Sequence, residues 1–442
     1  MKRIQRVDLI DGPILPALLS FAFPILLSNI FQQLYNTSDV MIVGRFLGQK
    51  SLAAVGATSA IFDLIVGFAV GVGNGMGIII ARNCGAKNED QLRKSVAATT
   101  VIGGILSLLV IFIGTVGLYP LLQFLGTPSA IVAQSYLYIS TIVNGVAVTF
   151  AYNLCAGLLR AVGDSLAALY FLIIAAILNI LLDLYFITQL HLGVQSAGIA
   201  TIIAKSFSAL LCFFYIRKKV PFLLPSRKDF VWDQRLYQDL ISQGLTMGLM
   251  SSIVSIGTVI LQSAINKLGM TIISAQISAR RIMSFALLPM AAISTSMTTF
   301  TSQNFGAKQF RRIQKGVKQA CLLSLIWSIF VAVFLFFTSP FFTSLISGSS
   351  DPNLIANASL YLQISSFFYP VLACLLTLGY PLQGIGPKVT PLISSFIELT
   401  GKILFVLLII PYTGYIGVIL CESLIWVPMT LQLWFTYHKA SH

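Results

Sequence analysis

The chain has 442 residues, of which 57% are hydrophobic and only 10% charged. That is far too apolar for a soluble globular domain, and the repeated apolar runs of 18 or more residues are long enough to cross a bilayer. Its net charge of +14 falls in the loops between those runs, so no nucleic-acid partner is expected. Six scattered cysteines without a C-x-x-C and three histidines leave no disulfide framework and no structural metal. The start, MKRIQRVDLIDGP, lacks the short apolar core and A-x-A site of a removable signal.

Taken in order, the hydrophobic runs predict twelve spans, near 14–43, 52–80, 95–117, 131–153, 163–187, 195–216, 237–264, 271–300, 317–345, 357–380, 389–411 and 415–437. Lys and Arg alternate between loops. Those on the N-terminal side hold 21, among them Lys2, Arg3, Arg6, Arg160, Lys388 and the cluster Arg217–Arg235; the opposite loops hold only Arg45, Lys50 and Lys267. The positive-inside rule then puts both termini in the cytoplasm, and the protein in a plasma membrane.

The stretch 217–235 divides the chain into related halves, an N-lobe 1–216 and a C-lobe 236–442, with 217–235 as cytoplasmic linker. In one gap-free register, Asn83-Cys84-Gly85-Ala86-Lys87 falls on Asn304-Phe305-Gly306-Ala307-Lys308, and Leu47-Gly48 on Leu268-Gly269. A slightly larger shift matches Leu159–Gly163 to Leu382–Gly386. Six spans per repeat keep the orientation, giving two pseudo-symmetric bundles with substrate near the membrane midplane.

The first span carries Asp39 in the polar stretch FQQLYNTSD, and the fifth carries Asp183 four residues after Asn179. A carboxylate at membrane depth costs about 2.5–3.5 kcal/mol on insertion scales, so such residues mark ion or substrate sites. Neither has a basic residue one turn away on its own helix. Asn179 and Asp183 share a helix face. Their oxygens suit a small hard cation, and the same carboxylates suit a proton; oxygen chemistry alone leaves both open. Pro24 lies in Asp39's helix, where a bend is expected to follow the charge of that carboxylate. Pro289, Pro370, Pro381, Pro391 and Pro428 read as static kinks.

Other acids read differently. Glu398 has Lys402 one turn later as an ion-pair partner, Asp63 is interfacial, and Glu422 is a possible C-lobe cavity acid. The glycine-rich run Gly67–Gly77 lacks the Lys and Ser/Thr of a nucleotide loop and reads as a close helix crossing. Energy is therefore expected from an ion gradient, one charge crossing 100 mV being worth about 2.3 kcal/mol. No cofactor, catalytic cluster or enzymatic activity is expected beyond a coupling ion, H⁺ or Na⁺. Met41 and Met76 illustrate polarizable side chains suited to flat, lipophilic cations.

Leu34–Gly56 (LYNTSDVMIVGRFLGQKSLAAVG), the two GAK loops and Leu158–Asp164 (LLRAVGD) resemble motifs of the multidrug and toxic compound extrusion (MATE) family, over essentially the whole chain, and most of all its DinF-like branch. The resemblance implies an all-α protein of twelve transmembrane helices in two six-helix lobes, exporting lipophilic cationic drugs by antiport. No extra interface helix requires a partner, so function as a monomer is expected. It implies a cation or proton site at Asp39, Asn179, Asp183 and Thr201, polar cavity positions at Gln32, Tyr35 and Tyr138, and a bend at Pro24 that expels substrate. Acidic residues that the NorM-like branch places in its seventh and tenth helices are missing. A lipid-linked saccharide flippase is the alternative; its anionic headgroup calls for more cavity cations than Arg280, Arg281, Lys205 and Lys402.

Overall fold

The structure, a computed structural model, describes residues 7–124, 127–348, 351–386 and 389–441. Lys2, Arg3, Arg6 and Lys388, all counted in the loop-charge pattern, lie outside the described residues. Every long element is helical: α1 (Ile14–Gly85), α2 (Glu89–Phe124), α3 (Ser129–Asn144), α4 (Val146–Ala161), α5 (Ser165–Thr188), α6 (Gln195–Lys219), α7 (Gln234–Asn266), α8 (Met270–Gly306), α9 (Phe310–Ser347), α10 (Pro352–Ser366), α11 (Tyr369–Ile385), α12 (Val389–Leu404), α13 (Ile410–Thr413) and α14 (Tyr415–Ser441). A π-helical turn, Phe405–Ile409, joins α12 to α13.

Among the described residues, nine helices are long and apolar enough to cross a membrane, and eleven spans result when the bent pairs α3–α4 (46°) and α10–α11 (55°) each count as one. At about 1.5 Å per residue, the 72 residues of α1 would run roughly 110 Å, several bilayer thicknesses. The helix breaks at Gly48, whose φ of 83° and ψ of 179° no helix contains. Counting its two parts separately gives the expected twelve. Helices overrun the predicted spans because hydropathy stops where helix does not: Glu89–Arg93 (3.2 Å) and Asp90–Lys94 (2.7 Å) are i,i+4 ion pairs that start α2 in polar sequence. Pro370 begins α11 just past the 55° bend, where its missing N–H costs no helical bond, so it starts a helix instead of kinking one.

The backbone repeats as the residues do. Gly48 and Gly269 both have positive φ (83° and 97°), as do Lys87 and Lys308 (53° and 58°), each pair in the register that aligns the two GAK loops. Lys87 N–H bonds Cys84 O and Asn88 N–H bonds Asn83 O; Lys308 N–H bonds Phe305 O and Gln309 N–H bonds Asn304 O. Gly163 and Gly386 (87° and 127°), and His191 and Gly414 (50° and 58°), continue the correspondence in the slightly larger shift.

The chain forms two compact units, one of residues 1–8 and 27–252, the other of 9–26 and 253–442. One limit falls just before α1, one inside α1 and one inside α7. In the first unit, α1 and α7 cross backbone to backbone. A Cβ on Gly71 would sit 2.6 Å from Met247 O, and one on Gly75 2.5 Å from Gln243 O. Gly244 and Gly248 face back onto Met76, Val72 and Phe68. The glycine run is thus a packing surface of small residues. Met76 is fully buried in it, packed in the core of this unit. The linker is short and folded down: Val220 and Leu223 join the buried core of this unit, and Ser226 and Asp229 form a capping box.

Candidate functional site

The first unit brings together residues from α1, α3, α5 and α6. Asp39 and Asp183 face each other within hydrogen-bonding reach. Asp183 is 1% exposed, and its Oδ1 has no hydrogen-bond partner among the described residues. Asn179, one turn earlier, is fully buried. With its amide oriented to satisfy both ends, it donates to Asp39 Oδ1 at 2.7 Å and accepts from the Thr201 N–H at 3.2 Å. The Thr201 hydroxyl lies 3.3 Å from the same amide and 2.9 Å from the Tyr35 hydroxyl. Tyr138 stands close enough for both carboxylates to act on it.

Local geometry explains the convergence. Tyr35 and Asp39, like Asn179 and Asp183, are one turn apart and share a face. The N-cap of α5 is Asp164, which accepts from Ala167 N–H (3.0 Å) and from the Tyr215 hydroxyl of α6 (2.8 Å), so α5 and α6 are held together at one end. Gly198 lets α3 approach α6: a Cβ there would lie 3.0 Å from the Thr141 side chain and 3.4 Å from Tyr138 O.

Six of the eight expected N-lobe residues meet in this cluster: Tyr35, Asp39, Tyr138, Asn179, Asp183 and Thr201. Gln32 is exposed on α1 and makes none of the cluster's hydrogen bonds. Pro24 is buried four turns before Asp39, in the stretch of α1 that groups with the second unit, and so lies outside the cluster. Sequence reading overlooked Lys205 as a member. Its ammonium donates to the Thr149 hydroxyl (3.3 Å) and its charge acts on Asp39, without forming an ion pair with either carboxylate. The available signal was spacing: Lys205 follows Thr201 by one turn on an apolar helix.

Glu422, expected as a possible cavity acid, is neutralised instead. Its Oε1 lies 2.8 Å from Arg280 Nη2 and 3.2 Å from Lys402 Nζ. Lys402 also bonds Glu398 at 2.7 Å, as the i,i+4 spacing predicts. The partners come from α8 and α12, far from α14 in sequence, so nothing local reveals them.

The first-unit cluster is therefore an oxygen-rich, partly buried place with surplus negative charge. It can take up a proton, a small hard cation, or the positive group of a solute.

Comparison with known proteins bears on what passes through it. The MatE family model matches residues 24–185 and again 247–408, one match in each half of the internal repeat. The chain is 26% identical over 402 residues to the probable multidrug resistance protein YpnP of Bacillus subtilis (strain 168), covering 89% of this chain and 88% of that one. It is 24% identical over 418 residues to an FAD transporter of Shewanella oneidensis, covering 93% and 91%. The crystal structure of a MATE protein in a bent conformation superposes with a TM-score of 0.88 over 99% of each chain at 22% identity, a likeness of fold.

Proposed function

Because the chain belongs to the multidrug and toxic compound extrusion (MATE) family of multi-pass membrane transporters, we propose that it exports small lipophilic cations across the plasma membrane by exchange for H⁺ or Na⁺ at Asp39, Asn179, Asp183 and Thr201. The observation that carries this reading is the facing pair Asp39–Asp183, with Asp183 Oδ1 buried and unpartnered.

Two ionised carboxylates in contact repel, and desolvation raises the cost of leaving them bare. One proton shared between them removes a charge. A Na⁺ held by Asp39, Asp183, the Asn179 amide oxygen and the Thr201 hydroxyl does the same with hard oxygen ligands. A cationic solute competes for the same negative charge, so its binding and the ion's are reciprocally opposed. That opposition is what antiport requires. Lys205 supplies a fixed positive charge nearby and limits how many exchangeable cations the cluster needs. Pro24 removes a backbone donor from α1, which makes it the place where the cluster's charge would bias a bend. The loop charges, 21 against 3, support cytoplasmic termini, and the exporter works as a monomer.

The test is efflux of a fluorescent cationic dye from proteoliposomes under an imposed pH gradient or, separately, a Na⁺ gradient. Transport driven by one gradient and lost in both Asp39→Asn and Asp183→Asn is expected. Undiminished gradient-driven transport in both variants removes the coupling role from this cluster. Absence of dye transport under either gradient moves the weight to an amphiphile flippase.

A further inference from the structure

The second unit contains a polar cluster that ion coupling does not use. Arg280 on α8, Glu398 and Lys402 on α12 and Glu422 on α14 form one chain of ion pairs, with contacts of 2.8, 3.2 and 2.7 Å. Two acids and two bases cancel in charge. The hydrogen bonding does not cancel. At the α8 edge, two buried donors have no acceptor: Arg280 Nε and Gln276 Nε2.

These two are donors, whereas Asn304 Oδ1 in the same unit can only accept and the other unpartnered side chains there include several hydroxyls. Ser324, Ser339, Thr343, Ser359 and Tyr369 leave hydroxyls, which rotate and can donate or accept. Guanidinium and amide N–H groups can only donate. A buried donor without an acceptor costs about 1–3 kcal/mol, so two together mark a place built for an acceptor.

The geometry is specific. Gln276 and Arg280 are one turn apart on one face of α8. Gln276 is 1% exposed, and its orientation is set by the Tyr415 hydroxyl, which donates to its Oε1 at 3.0 Å. The Tyr361 hydroxyl lies beside Gln276 without forming a hydrogen bond to it, and the charge of Arg280 acts on Tyr361. The Arg280 side chain is 31% exposed, so a ligand can reach it, whereas Gln276 behind it is shielded. Lys402, 2% exposed and bonded to both acids, shares Glu422 with Arg280. The π-turn that begins three residues after Lys402 is a feature often found at functional sites.

We propose that Arg280 and Gln276 form an oxyanion subsite in the second unit, which takes a carboxylate or phosphate group of a solute. From the exporter reading the inference borrows only that solutes enter the protein. The bound oxyanion accepts from Arg280 Nε and Gln276 Nε2, and the Arg280–Glu422 pair stays in place.

The experiment uses the purified full-length protein in detergent, without any gradient, and fluorescence anisotropy of two dyes: a rhodamine free acid and its ethyl ester, which share a ring system but differ in the carboxylate. Arg280→Gln removes the charged donor. Gln276→Glu keeps an acceptor for Tyr415 and places a tethered carboxylate where the ligand's would sit. Both are expected to weaken binding of the acid by about 10- to 100-fold, the worth of a hydrogen bond to a charged group, and to leave the ester within about 2-fold. Competition by inorganic phosphate against acetate separates the two oxyanion sources. Asp39→Asn is expected to bind the acid normally, so failure of the coupling reading leaves this test readable. Acid binding unchanged in Gln276→Glu, or equal losses for acid and ester in both variants, overturns the proposal and leaves those donors to water.

Discussion

The two repeats place different chemistry at the same position of the same helix. Gly163 and Gly386 before it, and His191 and Gly414 after it, correspond in a single register, which sets Asn179 of α5 against Lys402 of α12 and Asp183 against Val406. In the first unit the amide of Asn179 leaves two facing carboxylates with no ion pair between them and a base. In the second, the ammonium of Lys402 lies between Glu398 and Glu422. A carboxylate site filled by its own lysine cannot exchange that cation, because the cation is covalently tethered. A site lined by an amide can. The difference supports the proposal that exchange takes place in the first unit, and makes the second a fixed, neutral cluster with spare donors.

The largest expected effect tests the open site. Asp183→Asn should abolish gradient-driven dye transport yet raise the thermal stability of the purified protein, since it removes one of two like charges and turns one carboxylate oxygen into an amide donor beside Asp39, a gain of about 1–3 kcal/mol. Lower stability together with intact transport contradicts the comparison. Next in size is the filled site. Glu422→Gln leaves Arg280 without its ion-pair partner and Lys402 with Glu398 alone, and breaking a buried pair from one side costs about 3–5 kcal/mol. The measurement is thermal unfolding in detergent, with the double variant Glu422→Gln/Arg280→Gln, which keeps only the Glu398–Lys402 pair, expected to recover part of the loss.

A smaller effect sharpens the contrast. Lys402→Asn copies the first unit's residue into the second and leaves Glu398 and Glu422 with Arg280 alone. Stabilisation by Na⁺ relative to a bulky organic cation, absent in that unit of the wild type, is expected at the level of about 1–2 kcal/mol with Na⁺ well above its dissociation constant. The background is set by carrying Asp183→Asn in both proteins. No Na⁺ response in Lys402→Asn means that more than the tethered ammonium separates the two sites.

The smallest effect lies outside the membrane helices and serves as the control for both. Asp229 accepts from the Ser226 N–H (2.6 Å) and hydroxyl (2.9 Å), and those bonds hold its carboxyl below the usual range of about 3.8. With the folded value depressed, the stabilisation is complete above about pH 4 and fades as pH falls through the lower folded value. Asp229→Ala should cost about 0.5–2 kcal/mol of local stability near neutral pH, read by hydrogen exchange around residues 226–229, and nothing once the wild-type carboxyl is protonated. Dye transport and dye binding should not change.

Membrane insertion, helix count, the internal repeat and the two intramembrane acids follow from amino-acid order alone, because each depends on composition or spacing along one segment. Hydropathy marks a span wherever about 20 apolar residues follow one another. Gly48 and Gly269 declare a turn by lacking a Cβ, and Glu398 and Lys402 pair because one helical turn separates them. What tertiary structure decided is which charges meet across helices. Arg280, 142 residues from Glu422, turns an ambiguous acid into half of an ion pair; Lys205 joins the Asp39 cluster from α6; Gln32, adjacent to the cluster in sequence, is exposed and joins none of its hydrogen bonds. An electrostatic interaction depends on distance in space, and only packing determines that distance between residues on different helices.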